Sequence, residues 1–114
     1  MFVVISLLLA AACVAPGTAK VLGQPRMRKA AAHFRIPWRG YQLIGVAELT
    51  AAGGVLAGLR WHGLGLAAAS GMAVLLIGAL ASHRRAGDTI KETTPALAAL
   101  AIAAAYIDVA ALHA

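Results

Sequence analysis

YQLIGVAELTAAGGVLAGL (residues 41–59), RWHG (60–63) and LGLAAASGMAVLLIGALAS (64–82) decide the fold. Each long run approaches the roughly 20 mainly apolar residues that a helix needs to cross a hydrocarbon core. The four residues between them leave room only for a tight antiparallel hairpin. Two further apolar runs flank this hairpin, at 1–22 and 95–114. The expected architecture is therefore all-α: one domain over residues 1–114, built as a four-transmembrane-helix bundle with antiparallel neighbours.

Composition agrees. The chain is 61% hydrophobic and 12% charged, with a mean hydropathy of +0.82. A 114-residue soluble domain has too much surface to remain so apolar. Short connections leave no soluble catalytic domain. The net charge of +6 does not read as nucleic-acid binding, because the basic residues lie between apolar runs with almost no interleaved aromatics. Anionic lipid headgroups account for them better. The first run carries no Lys or Arg before its apolar stretch, so it reads as a span and not a cleaved leader. A lipoprotein reading at Cys13 lacks the large aliphatic residue expected at position 10. With one cysteine, no internal disulfide or CxxC pair is available.

Charge orients the bundle. The first connection, counted from Lys20, carries Lys20, Arg26, Arg28, Lys29, Arg35 and Arg39, and the third carries Arg84, Arg85 and Lys91. The second carries Arg60 alone. Nine basic residues against one place connections one and three in the cytoplasm and both chain ends outside. Within the first connection, Met27, Ala30, Ala31 and Phe34 recur at helical spacing, with Arg26, Arg28, Lys29, His33 and Arg35 on the other face. This predicts a short amphipathic interfacial helix that Pro37 ends and Trp38 anchors. Thr93 and Thr94 are expected to cap the last helix, with Pro95 in its first turn.

Polar residues inside apolar runs are the candidates for function. Glu48 lies about 10–12 Å inside the second span at 1.5 Å per residue. A carboxylate at that depth must be protonated, paired with a cation or supplied with donors. His83 closes the third span on the same side, which suggests a direct or water-mediated contact with Glu48. Cys13 falls at similar depth and reads chiefly as a small buried hydrophobe. Asp108, with Tyr106 nearby, lies near the outer end of the fourth span, and Gln42 is expected to snorkel at the inner boundary. Gly54 and Gly58 form a GxxxG, and Gly71 and Gly78 lie two turns apart. Both pairs are expected to serve close helix packing, within the chain or between copies.

Ile44-Gly45-Val46-Ala47-Glu48-Leu49 followed by Ala52-Gly53-Gly54, and Ala81-Ser82-His83-Arg84-Arg85-Ala86-Gly87-Asp88, in this order, resemble the two motifs of the DoxX-like family of small four-helix integral membrane proteins, in its short bacterial form. The likeness extends over essentially the whole chain. It implies that Glu48 is the intramembrane carboxylate and that His83, Arg85 and Asp88 form the polar exit of the third helix. It also implies a link, in some relatives, to thiosulfate:quinone oxidoreduction or membrane redox complexes. The sequence carries no redox-cofactor or metal-binding motif, so redox chemistry here would run through a quinone or a membrane or soluble redox partner. Three readings follow: an accessory or structural membrane subunit; a quinone-linked component with Glu48 and His83 at a headgroup or proton-relay site; or a small proton-coupled transporter. A homo-oligomer is compatible with each.

Overall fold

The computed structural model describes residues 1–112. Among them are five helices, α1 (Phe2–Leu22), α2 (Pro25–His33), α3 (Trp38–Ala57), α4 (His62–Arg85) and α5 (Ile90–Leu112). The four long helices form a closed ring, α1 on α3, α3 on α4, α4 on α5 and α5 on α1. Their shared core is built largely from small residues, including Cys13, Ala52, Ala69, Ala103 and Ala110, with Leu9, Val55, Met72 and Tyr106 as the bulky fillers. Small side chains let helix backbones approach closely, which matters where lipid removes any hydrophobic drive between helices.

Large apolar side chains are abundant on the outside as well. Leu43, Val74 and Ile77 are all well exposed. Helices α1, α4 and α5 are long and apolar enough to cross a membrane, and only 33, 22 and 17% of their apolar windows are buried. Most of each apolar surface therefore faces outward, an arrangement that water would penalise and lipid accepts. Helix α3 does not reach the same apolarity, because Gln42, Glu48 and several glycines dilute it.

Three helices end alike. After α1, α2 and α4 the chain enters the left-handed region at Gly23 (φ 73°), Arg35 (φ 57°) and Gly87 (φ 77°). In each case the next residue's N–H reaches five residues back: Gln24 to Ala19, Ile36 to Ala31 and Asp88 to His83, at 3.2, 2.9 and 3.0 Å. This closure satisfies helix-end carbonyls and suits glycine at its centre. Arg35 occupies that position with a side chain that the left-handed backbone disfavours. Arg35→Gly is expected to raise stability by about 1 kcal/mol, the usual penalty for a non-glycine residue there. Chemical unfolding in micelles would measure it, and an unchanged or lowered midpoint would refute the strain.

Several boundaries and packings depart from the sequence expectation. Helix α5 starts at Ile90, five residues before the expected Pro95. Its cap is Thr89, whose Oγ1 accepts from the Glu92 N–H at 3.3 Å while Glu92 Oε1 accepts from the Thr89 N–H at 3.0 Å. Thr93 and Thr94 are not caps; their hydroxyls donate back to the carbonyls of Thr89 and Ile90. Pro95 thus sits inside the helix. The expected end of the last span, Ala114, lies outside the described residues. Gly54 does pack closely on Ala68, and Gly58 on Gly65, but Gly71 and Gly78 face open space within the chain. The α2 helix forms, but it ends at His33 through the turn at Arg35 and not at Pro37, which instead caps α3; Arg28 stacks 4.6 Å over the ring of Trp38.

Candidate functional site

The Glu48 carboxylate has a partner that loop charge alone does not suggest. Lys20, in the last turn of α1, donates from Nζ to Glu48 Oε1. Lys20 is 9% exposed and Glu48 4%. The helices run antiparallel here, and each offers a glycine one turn before its ion. A Cβ on Gly17 would meet Glu48 Cβ at 3.2 Å, and one on Gly45 would meet Lys20 Cβ at 2.7 Å. Each glycine thus makes room for the opposing ion's stem, which draws the two charged tips into contact. The ring of Tyr41 lies 5.2 Å from Lys20 Nζ and adds a cation–π contact. Gln42 does not snorkel: its Nε2 donates to the Val21 carbonyl at 3.3 Å, one of the free carbonyls at the end of α1. Cys13 is fully buried in the core.

His83 is not with Glu48. It belongs to a second cluster, where α2 meets the end of α4. His33 Nε2 donates to Asp88 Oδ1 and His83 Nδ1 to Asp88 Oδ2, each at 2.6 Å. Phe34 stands edge-on to His83, ring centroids 4.9 Å apart. Arg85 Nη2 donates to the Phe34 carbonyl at 2.9 Å. Asp88 therefore ties the end of α2 to the end of α4 from both of its oxygens. The expected Glu48–His83 contact fails because each residue finds a nearer opposite partner on its own packing surface.

At the other end of the bundle, Tyr106 is fully buried and packs 5.4 Å from the ring of Phe2. Its hydroxyl has no hydrogen-bond partner among the described residues. It lies at the Gly58–Gly65 crossing, where a Cβ on Gly58 would come within 2.8 Å of it. Asp108 is exposed on another face of α5, so Tyr106 and Asp108 do not form a site. His62, which sequence reasoning passed over, donates from Nε2 to the Ala110 carbonyl at 2.6 Å and ties α4 to α5. Among the described residues, no group of three His, Cys, Asp or Glu side chains is arranged to hold a metal ion.

A family model described as the DoxX-like family matches residues 4–106, nearly the whole chain. The chain belongs to the DoxX-like family. No curated protein and no solved structure matches it. The two motifs of this DoxX-like protein now have physical content. Gly45-x-x-Glu48 pairs a close approach with the ion that the approach serves, and Gly87-Asp88 supplies first the left-handed turn and then the carboxylate that clasps both histidines. His33, outside both motifs, completes that clasp.

The clasp is acid-sensitive. The hydrogen bond from His33, with that from His83 and the charge of both rings, outweighs burial and holds the Asp88 carboxyl below its ordinary 3.8. A depressed carboxyl contributes stability that is fully present above its unfolded value and is lost as pH falls through the folded value. Amide protection in α2, corrected for the intrinsic pH dependence of exchange, is therefore expected to hold from neutral pH down to about 4 and to fall below it. The Asp88→Asn variant should show fast α2 exchange at neutral pH; protection equal to wild type would dismiss the clasp.

Proposed function

We propose that this multi-pass DoxX-like protein is an accessory or structural subunit of the cytoplasmic membrane, with α1, α3, α4 and α5 as four spans. The carrying observation is the buried Lys20–Glu48 pair. A carboxylate used for proton relay needs a wet or ligand-open path, whereas Glu48 is 4% exposed, held by a lysine and packed between two helices. Neither the pocket at the α2 end nor the groove between α3 and α4 is lined by it. Paired in this way, Glu48 no longer bars α3 from the bilayer, and the place of α3 in the ring between α1 and α4 supports reading it as a fourth span. The reading carries no stand-alone enzymatic step.

Orientation follows from loop charge: the α2 end is cytoplasmic, both chain ends are outside, and α2 lies at the interface with its basic face against anionic lipid. In a Cys13→Ala background, Arg60→Cys is expected to react with an impermeant maleimide from outside and Arg85→Cys to be protected. The partner surface is the open groove of about 640 Å³ between α3 and α4, lined by small residues including Gly53 and Gly71. A side chain at either position would meet nothing within the chain. Gly53→Leu with Gly71→Leu should therefore leave the fold intact while removing the protein from a larger complex on native gels of mild-detergent membranes. Migration of the wild type as a lone monomer would refute the subunit reading. A quinone-linked role would need a headgroup site away from a joint Glu48–His83 position, since these two residues have separate partners.

A further inference from the structure

The clasp between α2 and α4 leaves a concavity beside it that neither the fold nor the membrane-subunit reading requires. It encloses about 300 Å³ and is lined by His33, Phe34, Arg35, Arg85 and Ala86. We infer that this pocket binds a phosphate group, with Arg35 and Arg85 as its charged contacts.

The lining excludes a cation, since it offers two permanent positive charges and no carboxylate. The nearest acid, Asp88, is taken at both oxygens by the histidines. Two helix C-termini converge here, and their carbonyls would ordinarily repel an anion. Those carbonyls are occupied: Ala30, Ala31 and Ala32 accept from Phe34, Ile36 and Arg35, and Ser82, His83 and Arg84 accept from Ala86, Asp88 and Gly87. Arg85 is oriented by donating one Nη2 hydrogen to Phe34, which leaves the rest of its fork for a ligand. The volume exceeds a bare tetrahedral anion and admits bridging waters, at roughly 30 Å³ each.

The second observation is the backbone at Arg35. The equivalent closures after α1 and α4 use glycine, and this one keeps a strained arginine whose side chain lines the pocket. A side chain held where glycine would be more stable is a mark of a functional position. The phosphate can belong to a lipid headgroup or to a soluble phosphate ester, and the test separates these.

The purified full chain in nanodiscs of phosphatidylcholine would be titrated with phosphatidic acid by native mass spectrometry, and separately with inorganic phosphate by ³¹P line broadening. Arg35→Gly is the key variant, because its backbone suits the turn and its melting point reports that the fold is kept. Phosphatidic acid affinity should fall about tenfold or more in Arg35→Gly and in Arg85→Gln, as loss of one charge-assisted hydrogen bond implies. Lys29→Ala removes the same formal charge from the basic face of α2 outside the pocket and should change it by no more than about fivefold, the size of one surface charge near anionic lipid. Inorganic phosphate broadening that is abolished by Arg35→Gly assigns the pocket to soluble phosphate; lipid binding alone assigns it to the headgroup. Binding unaffected by Arg35→Gly, an equal loss in Lys29→Ala, or no binding of either probe overturns the inference.

Discussion

Lys20→Met alone, or Glu48→Leu alone, is expected to destabilise the helix assembly by about 3–5 kcal/mol, while the double variant recovers most of that loss. The burial of both partners decides the magnitude. An exposed ion pair is worth at most about 1 kcal/mol, but this pair is 9% and 4% exposed. Removing one member leaves the other without water and without a counter-charge. Removing both exchanges two expensive desolvations for apolar packing, which in other buried pairs is neutral or better. Reversible unfolding in mixed micelles, followed by circular dichroism, gives the three differences. A double variant no more stable than the worse single one would mean that packing of the stems, and not the charge pair, holds α1 to α3.

Gly45→Leu should be comparably damaging, at about 3 kcal/mol or more, since overpacking and loss of the buried pair act together. Its first added atom would lie 2.7 Å from Lys20 Cβ and 2.9 Å from the Gly17 carbonyl oxygen. The carbonyl belongs to a helix backbone and cannot swing aside, so α1 and α3 must separate and the ions with them. Gly53→Leu, two turns further along the same helix, meets nothing within 4 Å and serves as the internal control. Equal stability of the two variants in the same unfolding assay would show that the crossing is not set by Gly45.

The sequence made the four long helices legible because apolar runs of bilayer length have few other uses. The α2 helix was legible from the spacing of Met27, Ala30, Ala31 and Phe34 after a proline. The start of α5 was missed for a local reason. Thr93 and Thr94 looked like caps beside Pro95, but Thr89-x-x-Glu92 is the stronger signal, since it closes reciprocally on two backbone N–H groups. The site was half legible. Glu48 and His83 stand out as polar residues in or beside apolar runs, and Asp88 through the family resemblance, yet their pairing depends on which helix faces which, and a single sequence does not carry that. By sequence alone, Lys20 counts with the loop charges. Its position near the end of an apolar run, with a stem long enough to reach a buried acid on a neighbouring helix, is the available clue. His33 looked like one more polar residue on a basic helix face, and only the docking of α2 against α4 gives it a role.

The shortfall in apolarity of α3, set beside its pairing with α1, has a consequence for how the chain is made. Lys20 sits close enough to the end of α1 for its long stem to reach the interface before any partner exists. Glu48 lies mid-helix on a short stem and has no such refuge; alone it opposes insertion by about 2.5–3.5 kcal/mol, as a mid-span charge does. Since α1 leaves the ribosome first, its lysine is already waiting when α3 arrives. In a glycosylation-tagged insertion assay, α3 should enter the membrane poorly by itself, well behind α1, and poorly again behind α1 carrying Lys20→Ala. On the four-span reading, the order of synthesis thereby becomes part of the fold, with the first helix as the chaperone of the third.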